Sequence, residues 1–325
     1  MNNFIPLLPL IVPSFSSKGN LLIEKEGSNR CVSDNYDLLN VLDIKVSKSY
    51  LVSAYDVYYG LMPENPEDWP ETDFLFVDSG GYEINGSYDL SERNKFNYKV
   101  RPWDIIKMEN VYERVCNSEK FKNSCIILSC YDEYAPIEKQ FENSRKLAKK
   151  FPKATINTLV KCENINDLIN YIREHKIDEY NIKILGITEK ELGSTLRDRI
   201  RNLILIRKTL FEQQWSGYIH IFGGLEPSLT KIYFWAGADI FDGLAWQRFW
   251  LKDNTFLYSP DKYKVNLDEF ENKFVMMCKN LSFIQELCNE LSANYNSRQE
   301  KILELEEFLD NELGYVQEVL NFLEV

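Results

Sequence analysis

Eight short apolar runs that alternate with stretches of helical period, no Gly-rich phosphate turn after the first run, and two long amphipathic segments at the end together predict an α/β fold: a (β/α)8 TIM-type barrel with a C-terminal α-helical hairpin. The runs lie at 4–14, 50–55, 74–78, 125–130, 155–160, 182–187, 218–223 and 238–242, and half of them end in Gly, Asp or Ser. Between most of them, 103–117, 137–151, 166–175, 195–212 and 227–237 have helical period, and Thr195 and Pro227 suit the starts of the last two. Eight strands within about 250 residues is the usual size of such a barrel. An open doubly wound sheet would more often have fewer strands and a G-x-G-x-x-G turn, which does not occur here.

The tail has a different pattern. Phe274, Met277, Leu281, Ile284, Cys288 and Leu291 step by three and four, and Ile302, Leu305, Leu309, Val316, Leu320 and Leu323 repeat a similar stripe after a polar break at Asn294 to Ser297. The expected division is a barrel over 1–262 and a helical hairpin over 263–325 that packs on the barrel, joins a homodimer or meets a partner protein.

Composition narrows the function classes. The chain has 325 residues, 44% of them apolar and 27% charged, with only 14 Gly and 11 Pro, so it can bury a full core and is neither collagen-like nor linker-dominated. No run of 18 uncharged apolar residues occurs, so no membrane partner is expected. The N-terminal MNNFIPLLPLIVPSF lacks a basic leader and is cut by three prolines; it reads as a first strand, and a cytoplasmic location is expected. Seven cysteines without a C-x-x-C pair, and only two histidines, His175 and His220, imply free thiols and no metal or other cofactor. Whether His220, Cys278 and Cys288 meet in space is open at this level. The net charge of −12 is concentrated in residues 265–325, whose 13 acids and 4 bases carry −9; the rest of the chain carries only −3. Basic residues collect at Lys139–Lys153 and Lys190–Lys208, so a nucleic-acid partner stays compatible with the charge.

Candidate chemistry follows from the strand ends. Asp56, Asp78, Asp132 and Asp242 could converge on one mouth of the barrel, although an Asp at a strand-to-helix junction is also an ordinary helix cap. In Asp78-Ser79-Gly80-Gly81-Tyr82-Glu83 the two glycines would let a flat ligand reach the backbone amides while Tyr82 stacks on it; any tight turn could use the same pair. His220, inside a strand, reads as a packed histidine, and Cys130 and Cys162 as small buried hydrophobes.

The blocks FVDSGGYE, CYDEYAP with the following ENSRKLAKKF, and HIFGGLEPSLTKIYFWAGADIFDGLAWQR resemble, in order and spacing, the tRNA-guanine transglycosylase superfamily of zinc-containing (β/α)8 barrels, over roughly residues 4–250. The resemblance implies exchange of guanine in a nucleic acid for a 7-deazaguanine base such as preQ0. It implies Asp242 as the nucleophile on C1′ and Asp78 as the general acid and base, in the manner of a retaining glycosidase. It also implies that Asp132 recognises the base, that Tyr82 stacks on it, that Gly186 lines the pocket, and that Arg248 holds a phosphate near the nucleophile. Lys161 and Glu83 stand where the family has glutamines, which touches base recognition. The family's C-x-C-x-x-C with a later His is missing from 250–325. With PSFSSKG and GITEKELG, that loss looks more like the Dpd-type branch acting on DNA. DNA is thus the favoured polymer; the alternatives are tRNA, a free nucleotide, or a catalytically silent barrel that serves as a binding subunit.

Overall fold

The computed structural model describes residues 9–19, 22–24, 31–33, 48–84, 99–252, 255–258, 269–311 and 316–323. Eight parallel strands close a barrel: β1 (Leu10–Phe15), β4 (Ser49–Ser53), β5 (Phe74–Asp78), β6 (Cys125–Ser129), β7 (Thr155–Val160), β8 (Ile184–Thr188), β9 (Tyr218–Phe222) and β10 (Ile240–Gly243), with β1 next to both β4 and β10. The fold is the α/β barrel expected from the alternation of strand and helix. Two antiparallel pairs outside it, β2 (Leu22–Glu24) with β3 (Cys31–Ser33) and β11 (Phe249–Lys252) with β12 (Thr255–Tyr258), were not expected. The first residues of the predicted 4–14 strand lie outside the described residues.

Helices start where side chains satisfy their first amides. Asp104 accepts the Lys107 N–H at 3.0 Å, Thr195 accepts that of Asp198 at 3.1 Å, and Glu226 accepts that of Leu229 at 2.7 Å before a first-turn proline. The helices Ile105–Cys116, Ile137–Lys150, Ile165–Glu174, Leu196–Glu212 and Pro227–Trp235 all fall within two residues of their predicted spans.

By packing, the chain divides into two compact units, residues 13–133 with 147–156, and residues 134–146 and 157–325 with the segment up to Val12. The first holds a core of Tyr50, Phe76, Tyr112 and Phe151; the Tyr112 hydroxyl donates to the Ser129 carbonyl at 2.6 Å. The second contains β8, β9 and β10 together with the C-terminal helices Glu269–Ala293, Arg298–Asn311 and Val316–Leu323. The second arm of the predicted hairpin is thus assigned as two helices, with 312–315 outside the described residues.

Buried polar side chains of the C-terminal helices and the turn between them hold the chain on either side of β10. Asn280, fully buried, accepts the Leu251 N–H at 2.9 Å and donates to the Trp246 and Phe249 carbonyls at 2.6 and 2.7 Å. At the other end Arg298 donates to the Ala238 carbonyl and pairs with Asp239, each at 2.8 Å, while Tyr295 donates to Asp239 at 3.2 Å. Arg207 pairs with the other oxygen of Asp239, which also accepts the Ile219 N–H at 2.8 Å.

Candidate active site

In the first unit, Asp78 closes β5 and accepts the Gly80 N–H at 3.2 Å, so the acid and the turn hold each other. Gly80 has φ +86°, and a Cβ there would come within 2.7 Å of Tyr55 and 3.0 Å of Trp103. The Trp103 indole donates to the Ser79 carbonyl at 2.8 Å. A Cβ on Gly81 would overlap the Asp132 carboxylate, so the second glycine makes room for a neighbouring acid. The glycine pair therefore brings Asp132 against the turn that follows Asp78, a closer association than the strand ends alone predict.

Tyr82 is 39% exposed, and the Lys18 ammonium lies 4.5 Å from its ring centroid. Lys18 is itself only 1% exposed, and it follows two serines that bind acids. Ser16 donates to Glu83 at 2.5 Å, and Ser17 gives its N–H and hydroxyl to Asp56 at 2.6 and 2.5 Å. Asp56 sits in the short helix Ala54–Tyr58 directly after β4, fully buried, and anchors the turn after β1. The sequence signal for that anchor was Ser16-Ser17-Lys18, three polar residues directly after an apolar strand.

In the second unit, Asp242 lies near the end of β10, 7% exposed. Its Oδ1 accepts the Gly223 N–H at 3.0 Å and stands 3.3 Å from His220 Nε2. Gly223 has φ +76°, so the turn after β9 takes a left-handed residue to aim that amide. His220 is fully buried, stacked on Phe222 at 4.1 Å, and its Nδ1 is 2.7 Å from Asn157 Nδ2. His220 is thus packed and hydrogen-bonded, as read from its strand, and it also touches the candidate nucleophile, which was not anticipated. Asn157, a buried amide within β7, is the residue in contact with His220 that the sequence reading did not single out.

Gly186 on β8 pairs in register with His220 on β9, and a Cβ there would sit 2.6 Å from the Phe222 ring and 2.8 Å from Asn157 Oδ1. The Lys161 ammonium faces the Glu191 carboxylate at 3.7 Å, and Gln140 clamps the Lys161 backbone from both sides at 2.8 and 2.7 Å. Arg248 ends the short helix Ala245–Arg248 that follows Asp242. Three thiols are not poised as nucleophiles: burial pushes Cys162 up to about 12 and Cys116 and Cys125 to about 11. Cys288 donates to the Pro9 carbonyl at 3.0 Å.

Among the described residues no group of three or more His, Cys, Asp or Glu is placed to hold a metal ion. No helix among the described residues is long and apolar enough to cross a membrane. No protein-family model matches the chain, and no curated protein matches it.

Proposed function

We propose that this chain is a base-exchange transglycosylase that replaces guanine in a nucleic acid, with DNA as the favoured polymer, by a 7-deazaguanine. The observation that carries the reading is Asp242, a nearly buried carboxylate at the end of the last barrel strand, held by a backbone N–H and adjoining a buried histidine. A parallel barrel presents the carboxyl ends of its strands on its catalytic face. Asp78 ends β5, Asp242 lies near the end of β10, and their blocks carry the resemblance to the transglycosylases.

In the first step an Asp242 oxygen attacks C1′, the bond from C1′ to guanine N9 breaks with its electron pair on the base, and the proton of Asp78 neutralises the departing guanine. In the second step Asp78, now a carboxylate, takes the N9 proton of the incoming base. The N9 electron pair then displaces Asp242 from C1′, which restores the enzyme. Asp132, packed against Gly81, supplies a carboxylate for the N1–H and exocyclic amine of guanine, and Tyr82 supplies a ring face to stack on the base. The target nucleotide must leave its stack to be reached, which favours single-stranded or distorted sites.

The test is incorporation. The protein is expressed with its genomic neighbours in a host that makes 7-deazaguanine precursors, and nucleosides from separately digested DNA and tRNA are quantified by mass spectrometry. Deazaguanine in DNA that disappears with Asp242→Ala supports the proposal. Deazaguanine confined to tRNA moves the polymer to tRNA, and none in either, from folded protein, refutes the exchange reading and favours a binding subunit.

A further inference from the structure

We propose that Val100, Ile105 and Ile106, with Lys99 and Arg101, form a wedge beside the Asp78 turn that docks a nucleic-acid strand. The apolar side chains fill the gap that the extruded nucleotide leaves in its stack, and the two cations take the neighbouring phosphates. This deepens the proposed function and rests on it for the choice of a nucleic acid as the occupant. In the unit that holds Asp78, the exposed large apolar side chains among the described residues are Tyr82, Val100, Ile105 and Ile106. In a parallel barrel the helix after a strand starts on the face where that strand ends. Tyr82 follows β5, and the other three open the next long helix, Ile105–Cys116, so all four stand on the face that carries Asp78.

Packing within the chain does not call for this exposure. The helix buries Met108, Val111, Tyr112 and Val115. Ile106, two positions before Met108, is turned about 200° from it around the axis, and it is 74% exposed. Ile105 continues the buried stripe yet remains 46% exposed. The segment that leads to them is fastened to the candidate site. The Trp103 indole donates to the Ser79 carbonyl and the Arg101 N–H to the Tyr55 hydroxyl, each at 2.8 Å, while the Tyr59 hydroxyl donates to the Pro102 carbonyl. Ile106 follows Trp103 by three positions, so their Cα atoms lie within about 11 Å. Asp104 meets both the ammonium and the N–H of Lys107, so the acid at the helix start is neutralised locally. Lys99 and Arg101, both exposed, flank Val100, and the Arg101 guanidinium lies 5.1 Å from the Tyr59 ring. Apolar side chains set among exposed cations suit a polyanion with hydrophobic bases, and isoleucine is one of the residues that part stacked base steps. Extruding a nucleotide costs stacking, which such a wedge offsets.

The test measures binding of full-length protein to fluorescein-labelled single-stranded DNA, a DNA duplex with a central G·T mismatch, and a tRNA hairpin, by anisotropy over a salt series. A 2-aminopurine beside the central guanine of the duplex reports unstacking. Ile105→Ser with Ile106→Ser should weaken binding about 10- to 30-fold and abolish the rise in 2-aminopurine emission, with the salt dependence unchanged. Lys99→Ala with Arg101→Ala should instead reduce the slope of log K on log salt by about 2 for the duplex. Ile105→Leu with Ile106→Leu should keep both binding and emission, which separates the wedge from a folding defect. Binding and emission by the folded serine variant equal to those of the wild type overturn the wedge. Self-association of the wild type that the serine variant abolishes also overturns it, because the patch would then join two copies of this chain. Neither result touches the proposed function, which fails instead when the wild type incorporates no deazaguanine or Asp242→Ala still does; the binding data then decide the wedge by themselves. Wild-type protein that binds none of the three oligonucleotides overturns both.

Discussion

Replacing Arg298 by Leu removes one of the two guanidinium groups around Asp239. Asp239 is fully buried and bonded to Arg207, Arg298, Tyr295 and the Ile219 N–H. Breaking a buried ion pair from one side usually costs about 3–5 kcal/mol, and because Arg207 remains, the low end, about 3 kcal/mol, is expected. With a urea dependence of about 3 kcal/mol per M for a chain of this size, the unfolding midpoint should fall by about 1 M. Lys208→Ala is the control: its bond to Glu306 joins side chains more than a third exposed and is worth at most about 1 kcal/mol. Acidity adds a second test. Burial alone would raise the Asp239 pKa, but Arg207 and Arg298 outweigh it and hold the group below the ordinary carboxylate range. A depressed folded value stabilises the fold fully above the unfolded value, about 3.9, and that stabilisation is lost as pH falls through the folded value. The gap between wild type and Arg298→Leu should therefore be constant near neutrality and close below about pH 4. An Arg298→Leu midpoint within about 0.3 M of wild type at pH 7, or a gap that widens in acid, would refute the reasoning.

Gly81→Ala should displace the Asp132 carboxylate and cost about 1–3 kcal/mol, read as a lower urea midpoint and weaker binding of guanine; an unchanged midpoint with unchanged binding would remove Asp132 from the turn. With the Cys162 thiol pushed up to about 12, about one in ten thousand is ionised at pH 8, so iodoacetamide should label Cys162 in native protein far more slowly than in urea. Mass spectrometry of the digested protein reads this directly, and equal labelling rates would contradict the burial.

The barrel was legible because parallel strands covered on both faces read as unbroken apolar runs, as in FLFVD and CIILS. The small β11–β12 pair was legible in principle, since FWLK and TFLY flank Asp-Asn, directly after the Asp242 block ends at Arg248. Asp78 and Asp242 were found at their strand ends because position along one strand is a property of local sequence. What joins Asn157 to His220, or Ser17 to Asp56, is the register between separate strands and turns, which no single stretch encodes. Gly186 illustrates the difference: its place on a strand lining the barrel was expected, whereas the reason for a glycine there lies in two other strands.

The long helix Glu269–Ala293 turns a matter of chemistry into one of length. Asn280 ties it beside the chain that follows Asp242, and Cys288, two turns later, meets the Pro9 carbonyl next to the incoming strand β1. Eight residues of helix set that spacing at about 12 Å. One residue inserted between the two ties would swing one of them by about 100° and shift it by about 1.5 Å, which no neighbouring rotamer can absorb. Between those two residues the side chains facing solvent are free to vary, while the count of residues is not.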